Sequence, residues 1–134
     1  MKKILLPLDG TERSKKTITW IIDNYDPKEV ELTLMMCTDM LKQMEIKEEY
    51  SVAHYMSTTL NRMNDPLEKE GFTFEHYTTY GKPGEEIVKY AKENGFDLIV
   101  MTKSTKKGWL DTIGSVTAYT VKYAPCAVLI IPEC

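Results

Sequence analysis

Apolar residues along the chain fall into five short runs, separated by stretches with helical spacing. The runs are Lys3–Leu8, Val30–Thr38, Phe72–Thr79, Asp97–Thr102 and Ala127–Ile131. "ILLPL" and "AVLII" are almost continuously apolar, as a strand covered on both faces requires. "FTFEHYTTY" alternates instead, which places it nearer an edge of the sheet. Between the runs, Ile18, Ile21, Ile22 and Tyr25 predict a helix over Thr11–Tyr25. Ala53, Met56, Leu60, Met63 and Leu67 step by three and four. They predict one long helix, Glu48–Lys69, whose stripe packs on the sheet rather than on a coiled-coil partner. Gly71 closes that helix. Pro83 opens a third helix and Gly95 ends it, and a fourth runs from Thr112 to Tyr123, where Pro125 stops it.

Strands alternating with helices pair in parallel through right-handed crossovers, so the fold class is α/β: an open parallel sheet with helices on both faces. Ligands of such sheets bind at the carboxyl ends of the strands, where the strand order reverses. The loops that matter are therefore "LDGTERS" after the first strand and "TKSTKKGWLDTIGS" after the fourth. The polar, Met-rich stretch "DMLKQMEIKEE" is the least regular, and reads as a surface connection or a lid.

Bulk properties narrow the function. A chain of 134 residues is read as a single domain, 1–134, able to bury a core without disulfides or metal. A formal net charge of −3 gives no basic field for nucleic acid. No apolar run approaches the roughly 20 residues of a membrane-spanning helix. The start "MKKILLPLDG" reads as a first strand rather than a signal peptide, which predicts a cytoplasmic protein. Cys37, Cys126 and Cys134 lack CxxC spacing and lie far in sequence from His54 and His76, which argues against a zinc site or a disulfide framework. Cys126 reads as a small core residue, Cys134 as a free thiol, and the two histidines as surface groups. Trp109, a large aromatic in a polar loop, is expected to pack on the domain.

Three segments in order carry a family resemblance. "KKILLPLDGTERSKKTI", "GKPGEEIVKYAKENGFDLIVMT" and "GSVTAYTVKYAPCAVLIIP" together resemble a universal stress protein along the whole chain. The resemblance implies a five-stranded parallel sheet ordered 3-2-1-4-5. It also implies a homodimer through the last strand, here Ala127, Val128, Leu129, Ile130 and Ile131. An apolar edge strand left uncovered invites aggregation, so pairing there agrees with the physics.

Nucleotide-binding members of that family carry G-x2-G-x9-G-[S/T] after strand four and an aspartate after strand one. On that pattern the nucleotide site would comprise Leu8, Asp9, Cys37, Thr102, Lys103, Thr105, Gly114 and Ser115, with ATP or AMP and Mg as ligands. Asp9 would meet the adenine, Cys37 would turn its backbone toward it, and Gly114-Ser115 would supply the last element. The chain departs from the pattern in between. Thr102 and Thr105 stand at the first two glycine positions, and eight residues rather than nine precede Gly114. Glycine permits positive φ and close backbone approach to an anion, whereas β-branched threonine resists both. Lys103, Lys106, Lys107, Ser104 and the free amides before Ser115 offer a differently shaped anion site. Without a family match, Asp9-Gly10-Thr11 is also what any strand-to-helix turn would use.

Three functional readings follow. The first is a dimeric stress-response module with weakened or absent ATP binding, working through protein partners. The second is an adenine-nucleotide-binding stress module. The third, a slow ATPase, lacks support: no water-positioning residue, Walker motif or nucleophile elbow is present, and adjacent Glu85 and Glu86 point apart on a helix. No catalytic or metal-binding residue is nominated.

Overall fold

The computed structural model describes residues 1–38, 49–103 and 114–132. Its elements are β1 (Lys2–Pro7), α1 (Ser14–Asn24), β2 (Val30–Thr38), α2 (Glu49–Met63), α3 (Asp65–Lys69), β3 (Thr73–Tyr80), α4 (Pro83–Asn94), β4 (Leu98–Thr102), α5 (Ser115–Tyr123) and β5 (Ala127–Ile131). All five strands are parallel, in the order β3-β2-β1-β4-β5. The order reverses beside β1, which pairs with β2 on one side and β4 on the other.

Side-chain alternation along the strands divides the core in two. Ile4 and Leu6 of β1, with Leu32 and Leu34 of β2, pack under α1, α2 and α3 against Ile18, Ile21, Met56, Leu60 and Leu67. Leu5, Met35, Ile99 and Met101 face the other way, onto Ile87 and Ala91 of α4 and Val116 of α5. The alternating strand β3 lies at an edge, as its pattern predicts.

The expected single helix over 48–69 is two helices. Asn64 and Pro66 explain the break. Proline has no N–H to donate, and here it occupies the first turn of α3, a position that tolerates it. Asn64 is buried, and its side-chain nitrogen lies 3.0 Å from His76 Nε2 on β3. His76 is exposed overall, as predicted, but its ring also stacks on Phe74 and burial holds its pKa below the ordinary histidine value. The first helix starts at Ser14 rather than Thr11, because residues 9–13 form a hydrogen-bonded turn.

Helix α4 ends as predicted, on Gly95 in the left-handed conformation. Its other end sits close to α5: a Cβ on Gly84 would lie 3.0 Å from Tyr119 Cβ. The stretch 39–48, Trp109 and Cys134 lie outside the described residues. Cys126 is half-buried against the α4 side of the core, and burial, with Asp97 nearby, pushes its thiol pKa up.

Candidate functional site

A cavity of about 140 Å³ opens at the carboxyl ends of β1, β2 and β4, where the strand order reverses. Leu8, Met35, Cys37, Ile87, Met101 and Val116 give it largely apolar walls, and Asp9, Arg13, Ser14 and Thr102 supply the polar ones. The space opens to solvent, and its apolar walls suit a flat ring system.

The turn after β1 is built around the Asp9 carboxylate. Leu8 is buried, and its N–H donates to the Met35 carbonyl at 2.8 Å, which anchors the strand end. Gly10 turns at φ 81°, a conformation that side chains resist, and a Cβ there would also meet Thr59 at 3.2 Å. Asp9 Oδ1 accepts from the Thr11 N–H (2.9 Å), the Thr11 hydroxyl (2.6 Å) and the Ser14 hydroxyl (2.7 Å). The Asp9 N–H in turn donates to Ser14 Oγ at 2.9 Å. Asp9 Oδ2 takes the Arg13 guanidinium, with Nη2 at 3.1 Å and Nε at 3.4 Å. Partial burial alone would raise the Asp9 pKa, but the hydrogen bonds from Thr11, Ser14 and Arg13 outweigh it and bring the value down to about 2. The carboxylate is thus ionised at any physiological pH and held in one orientation.

Thr102, at the first of the two lost glycine positions, is buried at the end of β4. Its hydroxyl donates to the Arg13 carbonyl at 2.8 Å and lies 2.6 Å from the hydroxyl of Thr17, which has no exposed surface. One proton per hydroxyl fixes the chain: Thr17 donates to Thr102, and Thr102 donates to Arg13. This threonine therefore ties β4 to the start of α1.

The other nominated residues are placed as follows. Cys37 is half-buried in the cavity wall, its Sγ 3.6 Å from the Gly81 carbonyl. The Lys103 N–H is used in the sheet margin, donating to the Ile131 carbonyl at 2.7 Å. Thr105, like Ser104, Lys106 and Lys107, lies outside the described residues. Gly114 is buried in extended conformation at the N-cap of α5, and its carbonyl accepts the Ala118 N–H. Ser115 is exposed in the first turn and borders a second hollow, of about 390 Å³, with Lys82, Gly84, Glu85 and Tyr119. Pro83 and Val116 border both spaces. Among the described residues no group of three His, Cys, Asp or Glu side chains is arranged for a metal ion, and no helix is long and apolar enough to cross a membrane.

Arg13, Ser14, Ile87 and Met101 line the cavity without having been nominated from the sequence. For Arg13 a signal existed, since Asp9 and Arg13 are four apart across a turn into a helix, a spacing at which opposite charges meet.

Comparison with known proteins agrees with this architecture. The model of the universal stress protein family matches residues 1–132. A universal stress protein of Methanothermobacter thermautotrophicus is 28% identical over 97% of this chain and 94% of its own length. The solved structure of MJ0577 from Methanocaldococcus jannaschii superposes with a TM-score of 0.84 at 26% identity, covering 98% of this chain and 95% of that one. A universal stress protein solved in complex with cAMP shares the fold with a TM-score of 0.75 at 20% identity, covering 99% and 98%.

Proposed function

The chain belongs to the universal stress protein family, and we propose that it serves as a dimeric cytoplasmic stress-response module that takes an adenine nucleotide by its base and grips the polyphosphate of ATP weakly. The observation that carries this reading is the pairing of an open apolar cavity with a committed Thr102. The cavity suits a purine ring, with apolar walls for its faces and the fixed Asp9 carboxylate for a polar edge. Thr102, by contrast, spends its hydroxyl on Thr17 and Arg13, so the first phosphate-loop position holds the fold together instead of cradling an anion. The relative solved with cAMP supports a nucleotide as the class of ligand for this fold.

Dimerisation would run through β5, the open edge beside β4. Ile131 turns its carbonyl inward to Lys103, and strand alternation then turns the backbone groups of Val128 and Ile130 outward, available to a second copy. Ile130→Pro removes one outward N–H without breaking a bond to β4. Sedimentation should show dimer for the parent chain and monomer for the variant; a parent that sediments as monomer would reject the dimer.

Calorimetric titration with adenosine, AMP and Mg-ATP tests the ligand. Saturable binding of all three, with Mg-ATP no tighter than AMP, is the expected result. Mg-ATP binding tenfold or more tighter than AMP would mean that the altered loop still cradles polyphosphate. Absence of heat with every ligand to millimolar concentration would reject nucleotide binding outright.

A further inference from the structure

Asn94 and Gly95 close α4 and form the one Asn-Gly dipeptide of the chain. We infer that this step is a site of spontaneous deamidation, and that Lys3, brought to it by folding, promotes the reaction. The Gly95 nitrogen gives up its proton to solvent base and attacks the side-chain carbonyl carbon of Asn94. The bond from that carbon to the amide nitrogen then breaks. Ammonia leaves with a proton returned by the solvent, and a five-membered imide joins the two residues. Water adds to either imide carbonyl and opens the ring to aspartate or isoaspartate at position 94. The balance is one water in and one ammonia out, with no oxidant or reductant.

Three observations converge on this step. Gly95 has no Cβ to crowd the attack, and among the described residues no atom outside its immediate chain neighbours lies within 4 Å of where one would stand. Both residues are exposed to the water that the second stage consumes. The Lys3 ammonium donates to the Asn94 carbonyl at 2.5 Å, and that carbonyl belongs to the peptide unit whose nitrogen must attack. A cation on the oxygen draws charge from the N–H across the same unit and stabilises the anion left when the proton goes. Lys3 is well held: its Nζ lies 4.9 Å from the centre of the Phe96 ring. Its N–H donates to the Asp97 carboxylate at 2.8 Å, and its carbonyl accepts the Asp97 N–H at 2.8 Å. The opposing contacts are local. The Asn94 amide donates to the Tyr90 carbonyl at 3.0 Å, and the Gly95 N–H to the Ala91 carbonyl. Both bonds belong to the last turn of α4, where a helix frays most readily. Isoaspartate routes the main chain through the side-chain carbon, so it lengthens the link from α4, which carries Ile87 of the cavity, to β4, which carries Met101.

The test follows position 94 by peptide mass mapping while the folded full chain is incubated at mildly alkaline pH, for the parent, Lys3→Gln and Lys3→Arg. The parent should exchange amide nitrogen for oxygen at Asn94 ahead of Asn24, Asn61 and Asn64. Lys3→Gln should slow the exchange about fivefold, the factor that one modest charge-assisted bond supplies, and Lys3→Arg should stay within about twofold of the parent. In urea, where folding no longer brings Lys3 to Asn94, parent and Lys3→Gln should react at the same rate. Faster modification of folded Lys3→Gln would show that Lys3 only clamps the turn shut, and an unchanged rate would show that its ammonium is idle; either overturns the role of Lys3. A folded parent chain whose Asn94 stays intact overturns the site itself. Circular dichroism verifies that each variant is folded, and Lys3→Met decides in place of Lys3→Gln if the latter is not.

Discussion

Replacing Thr102 by valine tests whether the residue at the lost glycine position now serves the fold. Valine keeps the shape of threonine, so no cavity opens and the effect isolates the hydroxyl. In the variant, Thr17, with no exposed surface, loses the acceptor 2.6 Å away, and the Arg13 carbonyl loses the Thr102 hydroxyl while keeping its bond to the Lys16 N–H. Stranding a buried hydroxyl costs about 1–3 kcal/mol, and the lost Thr102–Arg13 bond about 1 more, so about 2–4 kcal/mol is expected. For a domain of this size that lowers the melting temperature by roughly 7–14 °C, and urea unfolding should move its midpoint with an unchanged slope. Thr17→Val relieves the stranded partner, so the double variant Thr17→Val/Thr102→Val should be more stable than the two single losses sum to, by about 1–2 kcal/mol. A Thr102→Val cost below about 0.5 kcal/mol, or additive single variants, would show that the threonine chain contributes nothing and that its burial is incidental. Thr102→Gly, which restores the family residue, should cost about 1–2 kcal/mol more than Thr102→Val, since it also removes a buried methyl and adds backbone freedom.

Two further outcomes follow from the same geometry. Gly84→Ala sets a helix-propensity gain of at most about 1 kcal/mol against overpacking of about 1–3 kcal/mol, because the new Cβ meets Tyr119 Cβ at 3.0 Å and its ring at 3.1 Å; a lower melting temperature is expected, and a rise would mean that α4 and α5 separate freely. The Asp9 pKa lies near 2, below its ordinary 3.8, so its contribution is complete above about pH 4 and fades as pH falls toward 2. Exposure limits that contribution to about 1 kcal/mol or less. Asp9→Asn should therefore flatten the fall in stability between pH 5 and pH 2.5, and an unchanged profile by urea unfolding would contradict the hydrogen-bonded turn.

The scaffold was legible because it rests on local rules. Continuous apolar runs marked β1 and β5, alternation marked β3 as an edge, and Pro83 and Gly95 bracketed α4. The helix break at Asn64 was written in "NDP", a polar cap followed by proline, but the apolar stripe ran through it and hid it. Asp9 could be placed from its turn. Thr102 could not be understood from sequence: as a missing glycine it reads as a loss, whereas its partner Thr17 stands 85 positions away and only folding brings the two together. Arg13 was overlooked for a related reason, since a family pattern directs attention to matching positions and this residue matches none.

The central strand has a consequence for how the chain is made. β1 pairs with β2 within the first 38 residues, but its other neighbour joins through Ile4 and Leu98, 94 positions apart. A nascent chain can complete β1, α1, β2 and α2 and bury Ile4, Leu6 and Leu34 long before β4 exists, while the inner edge of β1 stays open. Leu8 and Cys37 of the cavity come from the early part, and Met101 and Val116 from the late part. The pocket is therefore completed only late in synthesis, and any ligand it accepts favours molecules in which β4 and α5 have joined the earlier part.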